Sequence, residues 1–416
     1  MAFGTPSLSL AVKWAIRGLL GTAVVILLAV GNTDQPHTPH YRWFLAAQPH
    51  TFNIAVWMAN ELILGSGATA PVVSADATNG LGSNPTAEYA RAVATEVELA
   101  ARIEQLERRG APADAARAEL TAARRRTAEL APIAERQLAT LIGGVAAEHG
   151  LGWSFLDRLF PPVRFRFQSP PHMLVVSRRD AIGIVGAVPL SPELERSAMS
   201  AIEQRAEQTA VSALVVRIGG LATYPAMVPP SSEARWLVTT VAHEWMHNLF
   251  TLRPLGWRYA VGAEPDPRVI IMNETAADVA GSELGAVAYR RGFGTQPATA
   301  ETVPVASPPN RLNAELRRVR QRVDELIERG EVGAAEEYMR SERDRLESEG
   351  LYLRRLNQAF FAFYGNYAEG PGGGPDPVVS DVKTLRRRAA SLVAFVEQIS
   401  GLSSYQELRE LLASGR

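Results

Sequence analysis

The chain contains no cysteine, which limits both its cross-links and its metal chemistry. With zero cysteines among 416 residues, disulfide bonds and cysteine-ligated zinc sites are excluded, and the redox compartment stays open. The chain also has almost no net charge, with a formal value of −1 at pH 7. This balance gives no reason to expect nucleic acid as a partner. Evidence for function must therefore come from local motifs.

Histidine is scarce, yet two of the seven histidines stand four residues apart in the sequence His243-Glu-Trp-Met-His247. On a helix, residues at this spacing lie on one face. Both imidazoles could therefore bind one zinc ion, and Glu244 could take a proton from a zinc-bound water. The apolar run 236–242 suits a buried helix. The alternative is a pair of histidines that only packs a helix face.

A second apolar stretch downstream carries two carboxylates at helical spacing, Glu274 and Asp278. Buried carboxylates are costly unless they are paired or bind metal. We expect Glu274 to be the third zinc ligand and Asp278 to accept a hydrogen bond from the free ring nitrogen of His243. The alternatives are a solvent-facing helix start with Asn273 near its cap, and Glu283 as the third ligand.

Together these motifs resemble the gluzincin zinc metallopeptidases. The pattern HExxH, then Glu-x-x-Ala-Asp from Glu274 to Asp278, is most similar to the prenyl-protein peptidase and stress-peptidase group. It also resembles uncharacterised bacterial membrane-anchored HExxH proteins, over about residues 210–290. The multi-span membrane core of the prenyl-protein peptidases is absent, so their substrate class is not carried over. The Gly-x-Met-x-Asn signature of zinc aminopeptidases is missing too, which argues against simple aminopeptidase action.

The resemblance implies further features of a cleft. In zincins, the strand before the HExxH helix pairs with the substrate backbone, which would place 221–224 along the cleft. The alternative is an ordinary loop, which Gly219, Gly220 and Pro225 favour. Gluzincins also supply a Tyr, His or Arg downstream to stabilise the oxyanion. No histidine follows His247, so only a Tyr or Arg can serve. We predict Tyr364 or Tyr367 in this role, with packing onto the core as the alternative.

The N-terminus predicts a membrane anchor. Lys13 and Arg17 precede the uncharged run 18–33. Counted from Trp14, the segment has about 17 residues, which is short but within the range of a spanning helix. The positive-inside rule then places the N-terminus in the cytoplasm and the catalytic domain outside. The alternatives are a signal peptide cleaved after Gly31 and a buried core helix.

Two features near the predicted anchor have competing interpretations. Trp43 and Trp57 could anchor an interfacial helix at the membrane, or could pack against the body of the protein. His37, His40 and His50 form a loose cluster that could hold a second metal ion.

The predicted fold class is α+β, mostly α: a zincin-like domain with a small sheet and two ligand helices, flanked by long helical hairpins. The predicted segments are an N-terminal anchor (1–34), a membrane-proximal segment and linker (35–86), a helical hairpin (87–150), a catalytic domain (151–292) and a second hairpin with a helical C-terminal region (293–416).

These patterns predict a single-pass, membrane-anchored, extracytoplasmic peptidase that binds Zn²⁺ and acts on peptides or proteins. Two alternatives remain: a non-catalytic scaffold or sensor stabilised by zinc, and a zinc hydrolase acting on small-molecule amides. The sequence does not indicate the oligomeric state.

Overall fold

The protein is described by a computed structural model that covers residues 39–63, 84–155, 158–261, 266–294, 311–365 and 377–414. This part of the chain is mostly helical with small sheets, as the predicted α+β class requires. The helices are α1 (Pro39–Ala47), α2 (Ile54–Ile63), α3 (Pro85–Arg108), α4 (Asp114–Glu148), α5 (Arg196–Glu207), α6 (Ala234–Thr251), α7 (Pro254–Val261), α8 (Pro267–Phe293), α9 (Arg311–Glu328), α10 (Val332–Ser348), α11 (Gln358–Tyr364), α12 (Pro377–Arg388), α13 (Leu392–Ser400) and α14 (Tyr405–Ala413). The strands are β1 (Trp153–Phe155), β2 (Arg158–Phe160), β3 (Phe165–Phe167), β4 (His172–Arg178), β5 (Ile184–Leu190), β6 (Val211–Val216) and β7 (Ala226–Val228).

Three small sheets lie between the helices. The largest is antiparallel with the order β5-β4-β6, and its central strand pairs Val175 with Ala187 on one side and with Leu214 on the other. Strands β3 and β7 form a parallel pair, and β1 and β2 an antiparallel pair. Because side chains alternate along a strand, the two faces of β4 enter different cores: Val175 packs with α9, α10 and α11, whereas Leu174 packs with α1 and α5.

The largest core surrounds the helices that carry the predicted metal ligands. Residues from α6 and α8 share one buried cluster with the α3–α4 hairpin and with α12, α13 and α14. This cluster therefore draws on the predicted segments 87–150, 151–292 and 293–416.

Both predicted helical hairpins are present. In the first, α3 ends at a turn in which Gly110 adopts a φ of 66°, and α4 then runs back beside α3. In the second, Gly330 ends α9 with a φ of 74° before α10 returns. Glycine populates this left-handed conformation without the steric cost that a Cβ atom brings.

Helices α6 and α8 approach each other very closely. A Cβ atom added at Gly281 of α8 would lie 2.7 Å from the Cα atom of His243, and one at Gly285 would lie 2.9 Å from the Cα atom of Thr239. These glycines are four residues apart, so they lie on one face of α8. Their missing side chains let the backbone of α8 pack directly on α6.

The prediction of a membrane anchor is wrong on the evidence of the described residues, where no helix is both long and apolar enough to cross a membrane. The run 18–33, to which the anchor was assigned, lies outside the described residues, as does most of the predicted linker at 65–85. The predicted membrane partner and the single-pass location depend on this anchor, so they are wrong as well.

The tryptophans that could have formed an interfacial helix pack against the protein instead. Trp43 of α1 is 6% exposed, and its indole nitrogen donates a hydrogen bond to Oγ1 of Thr209 at 3.2 Å. Trp57 of α2 donates to Oε1 of Gln168, also at 3.2 Å. The described part of the N-terminal region is therefore tied to the sheet and to α5.

Candidate metal centre

Two helices bring three predicted metal ligands together. His243 and His247 lie one turn apart on α6, and Glu274 lies on the adjacent α8. The Nε2 atoms of the two histidines are 3.1 Å apart, and Oε2 of Glu274 lies 3.8 Å from Nε2 of His243 and 3.6 Å from Nε2 of His247. Among the described residues, these three are the one group of His, Asp and Glu side chains whose ligand atoms lie close enough together to hold a metal ion.

The spacing of the three atoms fits zinc. The circle through them has a radius of about 2.0 Å, so one point lies at that distance from all three, close to ordinary zinc–nitrogen and zinc–oxygen bond lengths. Two imidazoles and one carboxylate are also a ligand set that catalytic zinc sites use, with the remaining position open to water. The residues present can therefore hold the zinc ion that the sequence predicts.

A buried amide orients one of the ligands. Nδ1 of His247 donates a hydrogen bond to Oδ1 of Asn273 at 2.6 Å, and Asn273 is only 1% exposed. An amide oxygen can only accept, so the proton of the neutral imidazole resides on Nδ1. The lone pair on Nε2 then faces His243 and Glu274, as metal binding requires.

The electrostatics of the metal-free site are set by burial and by Glu274. Burial lowers the pKa of His243 to about 4, assisted by the neighbouring His247. Burial also opposes a charge on His247, but the adjacent Glu274 carboxylate outweighs it and raises the pKa of His247 to about 9. Without metal, His247 and Glu274 therefore form a charged pair near neutral pH.

Glu244 lies beside the ligands in a largely dry environment. It is 5% exposed, and burial raises its pKa from an ordinary 4.5 to about 7. A buried group of this kind is costly to the fold and is common at functional sites. A pKa near neutrality suits a group that must both accept and release a proton.

The segment predicted as a cleft-lining strand is a loop beside α6. Leu221 forms a single bridge with Met227, with both main-chain hydrogen bonds made, and no regular strand extends over 221–224 in this described loop. The side chain of Asn248, next to His247, donates to the carbonyl oxygen of Thr223 at 3.4 Å. The loop interpretation is thus the correct one, although the loop does lie next to α6.

Of the two other carboxylates proposed around the metal, one has a different partner in the structure. Glu283, the alternative third ligand, forms a two-pronged ion pair with Arg386, with both distances 2.8 Å. Asp278 is exposed on α8, and its hydrogen bond to His243 stays a prediction. Sequence reasoning missed Asn273, which it had considered only as a helix cap. The available signal was an amide directly before Glu274 within an apolar helix.

The tyrosine and histidine predictions lie away from this centre or outside the described residues. Tyr364 packs on Phe360 in the core formed with α9 and α10, a different cluster from the one around α6. Tyr367 lies outside the described residues, as does His37. Nε2 of His40 contacts the carbonyl oxygen of Ala187 at 3.2 Å. Tyr364 therefore belongs to a core other than the one around α6, and among the described residues His40 and His50 are not part of a group that could hold a metal ion.

Comparison with known proteins adds no evidence about function, which must be inferred from the geometry of the site. The chain matches no protein-family model, no curated protein and no solved structure.

Proposed function

We propose that this protein is a zinc-dependent peptidase of the gluzincin type. The observation that carries the proposal is the triangle of His243, His247 and Glu274 with a buried carboxyl group, Glu244, beside it. When bound at these three residues, zinc polarises a carbonyl group and lowers the pKa of its water. That combination is the minimum needed to attack an amide bond at neutral pH.

Glu244 handles the proton in this proposal. In its ionised form, the carboxylate takes one proton from the attacking water, so that the oxygen can form its bond to the carbonyl carbon. The same carboxyl group then delivers that proton to the amine that leaves as the carbon–nitrogen bond breaks. Burial, which raises the pKa of Glu244 in the metal-free protein, strengthens its carboxylate as a base for the first of these steps.

Open main-chain groups beside the site favour a peptide as the substrate. Within the described chain, the N–H and C=O groups of Gly220 and Ala222 form no hydrogen bonds. An extended peptide pairs with such groups through its own backbone, which gives affinity with limited sequence preference. A small amide would leave most of these groups unused.

The intact Glu244 argues against a purely structural metal site. Zinc held only for stability needs its ligands and their hydrogen-bond partners, and Glu244 is neither. A buried ionisable group without a structural task lowers stability. The scaffold alternative therefore leaves the burial of Glu244 without an explanation.

The decisive experiment measures metal and turnover in the same preparation. We expect about one zinc per chain by native mass spectrometry, and cleavage within a peptide library that stops on adding a chelator and returns with zinc. Glu244→Gln should keep the zinc and the fold but lose turnover, because the amide keeps the size and removes the base.

The matched control is Glu283→Gln, which alters a carboxylate on α8 that pairs with Arg386 rather than facing the metal triangle. It should keep both zinc and turnover. Peptide cleavage at the wild-type rate by Glu244→Gln, or by the zinc-free protein, would contradict the proposal.

A further inference from the structure

Gly220 makes an unusual contact with the proposed catalytic base. A Cβ atom added at residue 220 would lie 2.7 Å from Cδ of Glu244 and 3.2 Å from its Cγ atom. Real Cβ atoms essentially never lie within 3.0 Å of another atom, as the first of these distances would require. The Cα atom of Gly220 therefore rests directly against the carboxylate side of Glu244, and any larger residue would overlap with it.

The loop that carries Gly220 is attached on both sides of this contact. Before it, β6 ends at Val216, which pairs with Met173 in the central strand of the sheet. After it, Leu221 exchanges two main-chain hydrogen bonds with Met227. Gly220 thus lies within a short connection between two hydrogen-bonded positions, which leaves little room for the backbone to move away.

Further along, the same loop is also attached to α6 itself. The carbonyl oxygen of Thr223 accepts a hydrogen bond from Asn248, and Oγ1 of Thr223 donates to the carbonyl oxygen of Pro225 at 2.7 Å. The residue next to a metal ligand therefore holds the loop that covers the base.

The backbone of Glu244 is equally fixed. Its helix α6 is buried, and the backbone of α8 packs onto it at Gly281 without an intervening side chain. If a side chain were added at residue 220, the part with the most freedom to move would be the Glu244 side chain. The overlap would therefore displace its carboxylate.

We infer that Gly220 is a positioning residue, whose bare Cα atom fixes the Glu244 carboxylate beside the metal ligands. Its role as a positioning residue rests on the proposed function, whereas the contact itself does not. In this arrangement, the wall behind the base is main chain rather than a side chain. The base is thereby held in one place by a surface that cannot rotate away from it.

The neighbouring glycine provides a matched control for the experiment. A Cβ atom added at Gly219 would meet no other atom within 4 Å. Gly219→Ala and Gly220→Ala therefore make the same chemical change in adjacent residues of one loop, but only the second overlaps with Glu244. Both variants should be compared with the wild-type chain for zinc content, melting temperature and peptide cleavage.

We expect Gly220→Ala to keep about one zinc per chain and to lower kcat about 100-fold, with KM changed far less, as displacement of a catalytic group by about 1 Å does. Gly219→Ala should match the wild type in all three measurements. Equal behaviour of the two variants, or an unchanged kcat in Gly220→Ala, would overturn the inference.

Melting temperatures test the contact without any enzymatic assay. Gly220→Ala should lower the melting temperature of the wild-type chain but not that of Glu244→Ala, because the side chain that it overlaps with is then absent. If the loss of melting temperature persists in Glu244→Ala, the contact is not with Glu244 and the inference fails. If the coupling is present but no protein cleaves peptide, the proposed function fails and the contact stands.

Discussion

The hydrogen bond between Asn273 and His247 offers a quantitative test of the metal centre. Both groups are buried and their atoms are 2.6 Å apart. In Asn273→Leu, the side chain keeps a similar size but offers no acceptor, so Nδ1–H of His247 loses its partner inside the protein. A buried donor without a partner costs about 1–3 kcal/mol.

This cost should appear mainly as a loss of metal affinity. Removing a hydrogen-bond partner of a ligating histidine typically weakens metal binding about 10- to 100-fold. Since each tenfold change corresponds to about 1.4 kcal/mol, the expected range agrees with the cost of the unpaired donor. We therefore expect Asn273→Leu to raise the zinc Kd by one to two orders of magnitude while retaining the native fold.

The assay is a zinc titration in competition with a chromophoric chelator, at fixed pH. Asn273→Asp is the control, because its carboxylate keeps an acceptor at the same position and should bind zinc at least as well as the wild type. Wild-type affinity in Asn273→Leu would refute the argument. Equal losses in both variants would show that the amide presents its nitrogen to His247, and the assigned proton position would be wrong.

Three further outcomes follow from the same geometry. Glu274→Ala should lose most of its zinc whereas Glu283→Ala should keep it, as measured by native mass spectrometry; the opposite result would exchange their roles. Zinc affinity should rise about tenfold per pH unit between pH 6 and pH 8, because zinc must displace the proton that His247 holds up to a pKa of about 9; a flat titration would exclude that proton. Gly281→Ala should lower the free energy of unfolding by about 1–3 kcal/mol in urea, since the new methyl group meets the backbone of α6; unchanged stability would mean that the helices can separate.

Sequence reasoning correctly predicted that His243, His247 and Glu274 lie close together, because half of this arrangement depends on local spacing. HExxH places two imidazoles on one helix face whatever surrounds it. The choice between Glu274 and Glu283 was harder, because both lie on one long helix and only the neighbouring chain distinguishes them. Arg386, which pairs with Glu283, is about a hundred residues further along the chain, and no local pattern indicates that contact.

The parts that the sequence did not predict depend on tertiary packing. Asn273 fits a helix cap as well as a buried acceptor, and only the position of α8 against α6 decides between them. Gly219 and Gly220 both suggest a loop, yet only Gly220 faces Glu244. Strands β1, β2, β3 and β7 have three residues each, too few for a reliable alternating pattern.

Apolar composition also failed to distinguish a membrane environment from a protein core. Trp43 and Trp57 are aromatic residues in weakly charged helices, as at a membrane interface. In the structure their indole nitrogens donate hydrogen bonds to Thr209 and Gln168. Long-range partners of this kind satisfy the polar part of tryptophan as well as an interface does.

The burial of Glu244 predicts a direct trade-off between stability and function. Because its pKa in the folded protein is raised from 4.5 to about 7, the folded state holds a proton that the unfolded chain has released. The stability associated with that proton is fully present below pH 4.5 and is lost as the pH rises to about 7. At about 1.4 kcal/mol per pKa unit, the loss is at most about 3.5 kcal/mol.

The glutamine in Glu244→Gln does not titrate. As the pH increases from 5 to 8, the free energy of unfolding of the metal-free variant should therefore rise relative to that of the metal-free wild type. Urea unfolding at several pH values measures the difference, which includes the smaller contribution of the Glu244 carboxylate to the raised pKa of His247. Glu98→Gln, which alters an exposed glutamate of α3, should run parallel to the wild type. If the stability of Glu244→Gln runs parallel to that of the wild type as the pH changes, burying Glu244 does not cost stability. The main argument against a purely structural metal site would then fail. A growing advantage would show that this chain keeps, at the expense of its own stability, a carboxyl group that only the reaction needs.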